Sequence, residues 1–311
     1  MEILEVNDTQ YAGFFPNPSH VFNTAGFNVL NAAKCDGVHY LVFKDSKVRL
    51  GIVLGIRNNK ANTPFSAPFG GFEPASDDIR LSQIDAALEA LIRWAKAKNL
   101  DGIKIVPPPF FYNQNFLHKL DNCLFRAGYD KANIELNYQF PTFKLDEDYQ
   151  TTIWYNARKN LKRSLQAGLS FSKLDAANGK EAYDVIAQNR SERGFPLRMT
   201  WEQVQATTAI IPADFFLVKK DSEPVAAAVV FYVAHQIAQV IYWGDLPKFS
   251  EHKTMNFLSY SLFKYYSENG IAMIDIGPST EDSVPNYGLC EFKESIGCDL
   301  NIKTEYFKKT N

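Results

Sequence analysis

The strongest constraint in this sequence is an internal repeat: one order of structural signals occurs once in each half of the chain. Residues 40–46 (YLVFKDS) and 216–222 (FLVKKDS) each read as a short apolar strand ending in Lys-Asp-Ser, a composition typical of a hairpin turn. Each segment leads into a second apolar strand, over 48–56 in the first half and 224–233 in the second. A single matching hairpin can arise by chance, so the elements downstream of it decide whether the chain is duplicated.

A helix and a short buried strand follow the hairpin in both halves. Apolar residues at helical spacing predict helices over 78–98 and 254–269. Each helix leads through a glycine turn into an apolar strand, 103–106 in the first half and 271–276 in the second. A helix that joins two strands implies at least one parallel pair, whereas the hairpins supply antiparallel strands. We therefore predict an α/β protein with mixed sheets (α+β), built twice.

Length and a short acidic stretch suggest where the two domains meet. The 311 residues suffice for two domains of roughly 150 residues each, and 46% hydrophobic residues can fill both cores. The acidic run Asp146-Glu147-Asp148 precedes a helix predicted over 151–167. We therefore predict an N-terminal domain over 1–148 and a C-terminal domain over 149–311. Further elements are predicted as helices over 179–190 and 291–296 and a last strand over 300–306.

Composition and missing motifs argue against several functions. The net charge of −2 gives no support for a DNA partner. Four scattered cysteines without a C-x-x-C pair, and no signal peptide, predict a cytoplasmic protein with reduced thiols, and no membrane span is expected. The five scattered histidines predict no metal site. Without a P-loop, G-x-G-x-x-G or G-x-S-x-G motif, nucleotide hydrolysis, hydride transfer and serine hydrolysis are unsupported.

Three segments make the sequence resemble the FemAB-like family, in which two GNAT acyltransferase folds occur in tandem. They are 68–74 (PFGGFEP), 158–168 (RKNLKRSLQAG), and 275–279 (DIGPS) followed by 286–293 (NYGLCEFK). The order of hairpin, helix and strand is likewise similar to the core of the GNAT fold. The resemblance implies two tandem GNAT-like domains. It also implies an acyltransferase that moves an activated acyl or aminoacyl group onto an amine.

The resemblance leaves the acyl donor unknown, between acyl-CoA and aminoacyl-tRNA. Fem enzymes extend a peptidoglycan peptide from aminoacyl-tRNA, whereas classical GNAT enzymes hold acyl-CoA with a Q/R-x-x-G-x-G/A loop before the helix. In this chain the corresponding segment, 244–254 (GDLPKFSEHKT), has one glycine, at the strand end. We expect the amine of a peptide, amino-sugar or cell-wall precursor as acceptor, with tRNA as a candidate partner. Two alternatives remain: a non-catalytic binding module with a degenerate donor site, and a ligase or polysaccharide-modifying transferase with another donor.

Two residues of the second half are predicted to be catalytic. Asp275 ends an inner strand, where open α/β sheets place ligands, and would act as general base or bind the incoming ammonium. Its counterpart in the first half, near Val106, is apolar, so the chemistry is expected in the second copy. Tyr242 lies at the end of the strand that follows the second hairpin, in an aromatic and acidic segment. A turn cap at Asp275 and core packing at Tyr242 are the competing interpretations.

Binding residues are predicted in two groups. A helix N-terminus favours an anion, so Lys253, Thr254 and Asn256 are predicted to bind the donor; plain capping by Ser250 or Thr254 is the competing interpretation. The second group, predicted to bind substrate, combines four cations on one helix face with three residues at strand ends. Its members are Arg158, Lys159, Lys162, Arg163, Trp243, Asp245 and Ser279. A solvated helix face is the alternative for the four cations.

Overall fold

A computed structural model describes residues 1–145 and 148–310, which form two compact units. Unit 1 comprises Met1–Glu135 and the C-terminal segment from Ile302 on, and unit 2 comprises Leu136–Asn301. The boundary predicted at Asp146-Glu147-Asp148 falls on Asp146 and Glu147, which lie outside the described residues. The division at 148/149 therefore stays a prediction.

The strands within the described residues are numbered in chain order. They are β1 (Glu2–Val6), β2 (Gly37–Lys44), β3 (Val48–Arg57), β4 (Lys60–Thr63), β5 (Phe72–Pro74), β6 (Gly102–Ile105), β7 (Asp130–Pro141), β8 (Leu169–Leu174), β9 (Ala213–Lys220), β10 (Glu223–Ala234), β11 (Ile237–Asp245), β12 (Met273–Pro278), β13 (Thr280–Glu281), β14 (Val284–Pro285) and β15 (Asp299–Lys309).

The α-helices within the described residues are numbered in the same way. They are α1 (Asp8–Phe14), α2 (Ala25–Leu30), α3 (Leu81–Ala97), α4 (Gln114–Arg126), α5 (Tyr149–Thr152), α6 (Tyr155–Leu165), α7 (Gly179–Arg193), α8 (Trp201–Thr208), α9 (Thr254–Glu268) and α10 (Tyr287–Ser295). Among these, none is long and apolar enough to cross a membrane.

Unit 1 is a mixed sheet with helices α3 and α4 packed on one face. Its strands lie in the order β1-β2-β3-β4-β6-β15, with β5 also paired to β3. The β2–β3 hairpin is antiparallel. Strands β4 and β6 are parallel, because the connection between them includes the crossover helix α3, which returns the chain to the end of the sheet where β4 began. Alternate strand residues such as Leu41 and Ile52 meet Leu88 and Leu91 of α3 in the core, and all four are fully buried.

Unit 2 repeats this plan. Its strands lie in the order β7-β12-β11-β10-β9-β8, with β11 and β12 parallel and the other pairs antiparallel. Helix α9 covers one face, where Leu258, Leu262 and Phe263 pack against strand residues such as Ala228 and Ile274. Helix α7 packs against β9, β10 and β11. The predicted mixed α/β fold, repeated in tandem, is confirmed.

The two Lys-Asp-Ser turns look alike in sequence and differ in structure. In unit 2, Lys220 pairs with Glu223, so the loop is the two residues Asp221 and Ser222, both left-handed with φ of 48° and 71°. That is the primed turn preferred by two-residue hairpins. In unit 1, Lys44 pairs with Val48, so the loop has one residue more and no left-handed residue.

The prediction of one helix over 151–167 is wrong at its N-terminal end. The segment forms the short helix α5 and, after a break, the helix α6. Ile153 is extended, with ψ of 156°, and the backbone N–H of Trp154 donates to the carbonyl of Ser295 at 3.0 Å. The chain leaves the helix because this distant carbonyl accepts a hydrogen bond that a continuous helix would make within itself.

Candidate functional site

Strands β11 and β12 stop pairing partway along their length. Their parallel ladder covers three residue pairs and ends at Gln239 with Asp275. Beyond that point β11 continues beside β10, and β12 continues beside β7. We call residues 240–245 and 276–278 the β11–β12 fork. Backbone groups of β11 that turn toward the fork are free of the β11–β12 ladder, so an extended ligand can pair with them.

A β-bulge in β11 sets which side chains reach the fork. Tyr242 pairs with Val229 and Val240 pairs with Val230, so Ile241 is an extra residue without a partner on β10. The extra residue reverses the alternation of side chains along the strand. Tyr242 therefore shares the face of Gln239, away from α9, where regular alternation would have put it on the α9 side.

Tyr242 is buried on this face and keeps its proton. Its hydroxyl oxygen accepts a hydrogen bond from the backbone N–H of Met199 at 3.2 Å. Burial raises the pKa of Tyr242, partly opposed by that hydrogen bond. The hydroxyl hydrogen itself has no acceptor within residues 1–145 and 148–310. A neutral phenol with a free hydrogen can donate a proton or a hydrogen bond to a ligand.

Asp275 is fully buried and densely hydrogen-bonded. Its carboxylate accepts from Asn137 Nδ2 at 2.8 Å, from Gln239 Nε2 at 2.8 Å and from the backbone N–H of Gly277 at 2.9 Å. The bond to Gly277 accompanies a register shift of β12 against β7, at a glycine with φ of +77°. The carboxylate therefore holds the local bend of β12 besides contributing a negative charge at the fork.

Lys293 of α10 is a further charged group at the fork, and sequence reasoning missed it. Its side chain is 1% exposed, and its ammonium donates to the carbonyls of Ile276 (3.3 Å), Gly277 (2.8 Å) and Pro278 (3.0 Å). Burial lowers the pKa of Lys293 to about 8, against the smaller opposing effect of Asp275 and nearby thiols. A signal was present, because Lys293 stands three residues from both Cys290 and Ile296, at an apolar position of the helix.

The predicted donor-binding residues lie at the start of α9. Lys253 is left-handed, with φ of 56°, and occupies the N-cap without a side-chain capping bond. Thr254 is buried and its hydroxyl donates to Asp245 Oδ2 at 2.5 Å, so that hydroxyl is already used. Asn256 is buried as well. The first backbone N–H groups of α9 have no partner within the helix and can meet an anion.

Asp245 and Trp243 have internal contacts. Besides Thr254, Asp245 contacts Arg193, whose Nη2 lies 3.2 Å from Oδ1. Its backbone carbonyl accepts from Asn189 Nδ2 at 2.6 Å. Asp245 thus joins the end of β11 to α7 and α9. The ring of Trp243 lies on the α9 side and packs 6.2 Å from that of Phe292.

Ser279 and the basic helix α6 complete the predicted set. The Ser279 hydroxyl is buried, directly after the fork, without a hydrogen-bond partner among the described residues. On α6, Ala157 and Leu161 are buried, and four cations are exposed without an ion pair in the described part of the chain. These are Arg158, Lys159, Lys162 and Arg163. The structure thus brings Tyr242, Asp275 and Ser279 to the fork, whereas the α6 cations form a separate surface.

The corresponding position in unit 1 is filled by the chain itself. The parallel ladder of β4 and β6 ends at Thr63 with Ile105, and the chain then loops back so that Gly70 lies beside Val106. Val106 donates to the Thr63 carbonyl and accepts from Gly70, both at 2.8 Å. A Cβ on Gly70 would lie 2.9 Å from Thr63 Oγ1, so glycine permits this close approach. Unit 1 therefore lacks the open strand edge that unit 2 has at its fork.

A cavity of about 320 Å³ lies elsewhere in unit 2 and contains none of the predicted site residues. It is lined by Leu145, Tyr149, Gln150, Tyr260, Lys264, Ser267 and Glu268. The fork is the better candidate site because a bulge, a free strand edge and buried charged groups coincide there.

No family model matches the sequence, and no curated protein matches it. Solved structures match over nearly the whole chain. FemX has a TM-score of 0.70 and 14% identity, over 99% of this chain and 97% of its own. L-PGS from Bacillus licheniformis has 0.61 and 13%, over 99% and 93%. A tandem GNAT protein from the clavulanic acid biosynthesis pathway, solved without AcCoA, has 0.57 and 8%, over 100% and 98%. The chain therefore has the FemAB-like tandem GNAT fold.

Proposed function

We propose that this chain is an N-acyltransferase that moves an activated acyl or aminoacyl group onto a primary amine at the β11–β12 fork of unit 2. The observation that carries the proposal is the fork itself, an open strand edge with Tyr242 on β11 and Asp275 and Lys293 around β12. The fold shared with FemX, L-PGS and a tandem GNAT protein supports the same reaction class.

The reaction needs positioning and charge stabilisation more than a covalent catalyst. The amine nitrogen attacks the carbonyl carbon of an ester or thioester, a C–N bond forms, and the C–O or C–S bond then breaks. The amine loses a proton, and the departing oxygen or sulfur gains one. An open strand edge can align the donor by backbone hydrogen bonds, which converts the attack into a step between pre-oriented groups.

Tyr242 suits the role of proton donor to the leaving group. Its pKa is raised by burial, so it is neutral at physiological pH, and its hydroxyl hydrogen is free among the described residues. The bulge at Ile241 turns it to the face of Gln239 and Asp275. General acid catalysis of this kind contributes about 10²- to 10⁴-fold to a rate.

Lys293 suits the role of electrostatic stabiliser. The tetrahedral intermediate carries an oxyanion, and a fixed positive charge in a buried site stabilises it without reorganisation. The Lys293 ammonium is fixed on three carbonyls at the end of β12. Asp275 acts on the same strand end by holding its bend, and we assign it a positioning role.

The donor is proposed to be aminoacyl-tRNA or acyl-CoA. The first amides of α9 and Lys253 suit a phosphate of either donor. The exposed cations of α6, with Trp154 half-exposed and Tyr155 exposed at its start, suit a nucleic-acid backbone and unstacked bases. The single glycine of 244–254 argues against a phosphate-binding loop of the classical GNAT type.

The test compares both donor classes on the whole chain. Acetyl-CoA, longer acyl-CoAs and charged tRNA are each incubated with peptide and amino-sugar amines, and acylated products are sought by mass spectrometry. Tyr242→Phe should lower the rate by about 10²-fold or more, with only a small drop in melting temperature, because the Met199 N–H loses its acceptor. Tyr260→Phe, at a partly buried position of α9 beside the cavity, is the matched control and should keep full activity.

A non-catalytic binding module is the second candidate, favoured by the three donors that already engage the Asp275 carboxylate. Under that interpretation some ligand stabilises the chain against heat while no donor gives a product. Absence of product with every donor, together with stabilisation by a donor or an amine, would replace the transferase proposal with this one.

A further inference from the structure

A row of three buried polar side chains crosses the sheet of unit 2 where the ladder of β11 and β12 ends. Asp275 on β12 pairs with Gln239 on β11 and with Gln139 on β7. All three side chains are at most 6% exposed. Their neighbours in sequence, among them Ile274 and Phe140, belong to the core on the α9 side, so the row occupies the opposite face.

The row presents two amide oxygens that no donor satisfies. Gln239 donates through Nε2 to Asp275 Oδ2 at 2.8 Å, which leaves its Oε1 free. The reverse orientation of that amide would set its oxygen against the carboxylate, so the hydrogen bond fixes the assignment. Gln139 Oε1 likewise has no partner among the described residues. Buried acceptors of this kind are uncommon and call for an explanation, such as a bound ligand or water.

The chemistry of the row specifies a small cationic donor. Two carbonyl-type oxygens flank a carboxylate, so the complementary group carries several N–H donors and a positive charge. A primary ammonium has three N–H donors and a compact charge. Lys293 does not fill this role, because its ammonium donates to the carbonyls of Ile276, Gly277 and Pro278.

We infer that Gln139, Asp275 and Gln239 form a subsite for the primary ammonium of a substrate, next to the β11–β12 fork. The inference rests on the proposed function, since it assigns part of the same site. Two sources supply this group: the α-ammonium of an aminoacyl donor, and the amine of the acceptor in its protonated form. In either case the subsite selects substrates with a free ammonium over their N-acylated counterparts.

The test measures binding, so that it does not depend on turnover. One arm uses the alanyl amide analogue of an aminoacylated adenosine, and the other uses glycylglycinamide. Each is compared with its N-acetyl derivative by calorimetry. We expect the free ammonium to bind at least about tenfold more tightly in one arm, which identifies the source. Equal affinity of both forms in both arms would overturn the inference.

Gln139→Leu removes one acceptor without breaking any hydrogen bond that its side chain makes within the described residues. The variant should unfold at the same temperature as the natural chain. The ratio of affinities for the free-ammonium and N-acetyl forms should fall to near one. Gln205→Leu, at an exposed position of α8, is the matched control. If Gln139→Leu lowers the melting temperature and leaves the preference intact, the oxygen holds a structural water and the inference fails.

Gln139→Met keeps the test decisive if the leucine variant does not fold. It preserves the length of the side chain and removes the acceptor oxygen, so the free ammonium and its N-acetyl form should bind with nearly equal affinity. An unchanged preference for the free ammonium would overturn the inference. The outcome is separate from that of the proposed function: a clear preference without any acyl transfer product would leave the subsite in place and remove the transferase activity.

Discussion

The lowered pKa of Lys293 predicts that stability and transfer activity respond to alkaline pH in opposite directions. Burial lowers the pKa of this group from 10.5 to about 8. Between these values the unfolded chain binds more protons than the folded one, so the free energy of unfolding increases as pH rises through this window. The difference between the two pKa values corresponds to about 3.4 kcal/mol, of which about 2 kcal/mol is gained between pH 7 and pH 9.5.

The same deprotonation removes the cation that we assign to oxyanion stabilisation. The rate of acyl transfer should therefore fall above pH 8, while the fold becomes more stable. If activity were lost through unfolding, the rate and the free energy of unfolding would both fall as pH rises. A falling rate together with a rising free energy of unfolding would tie the activity to the charge of a buried group.

The assay is urea denaturation at pH 7 and pH 9.5, for the natural chain and for Lys293→Met. Several buried tyrosines have a raised pKa and also respond to alkaline pH, but they contribute equally to both proteins and cancel in the difference. The natural chain should gain about 2 kcal/mol relative to the variant. Lys264→Met, at an exposed position of α9, should show no such gain. The lowered pKa would be refuted if the difference in free energy of unfolding between the natural chain and Lys293→Met changed by less than about 0.5 kcal/mol from pH 7 to pH 9.5.

Three further substitutions test other parts of unit 2. Asp275→Ala leaves three donors without their acceptor and should lower the free energy of unfolding by about 3 kcal/mol in urea titration; unchanged stability with lost activity would argue for a catalytic base instead. Gly244→Ala puts a Cβ 2.7 Å from the Asn189 side chain and should cost about 1–3 kcal/mol, visible as a lower melting temperature. Lys162→Glu should weaken tRNA binding and make the slope of log affinity against log salt concentration shallower by about one or more. Lys47→Glu, at an exposed position of unit 1, should change neither the affinity nor the slope. Equal effects of the two lysine substitutions would remove α6 from the binding surface.

The repeated fold was predictable because its signals are local. Hydrophobic periodicity and a following glycine placed a helix over 254–269, and α9 spans Thr254–Glu268. The hairpins were visible from apolar runs that flank turn residues. Each of these signals lies within about ten residues of the element that it specifies, so no knowledge of the partner strand was needed.

The helix break and the β-bulge were not predictable because distant groups cause them. The backbone N–H of Trp154 donates to the carbonyl of Ser295 instead of to a carbonyl within the helix. No residue near Trp154 in the sequence indicates that distant acceptor. The extra residue Ile241 depends on the register of β11 against β10. Hydrophobic alternation alone cannot detect it, because residues on both faces of β11 are buried.

The candidate site was predictable in part. The apolar run before Asp275 and the turn residues after it predict a strand end, and Asp275 lies where the β11–β12 ladder stops, although β12 itself continues to Pro278. Its donors Asn137 and Gln239 are 138 and 36 residues away, so its engagement could not be inferred from its own segment. Lys293 was overlooked because a lysine on a helix is exposed by default, and its burial depends on three carbonyls of another strand.

The self-filled strand edge of unit 1 has a consequence for the solubility of the molecule. An unpaired strand edge is a template on which other chains can add strands and aggregate. In unit 1, Gly70 pairs with Val106 at that edge and removes the template there. In unit 2 the fork stays unpaired, so the risk of aggregation through this edge is confined to unit 2. Duplication thus allows one copy to be protected against self-association while the other retains an accessible edge.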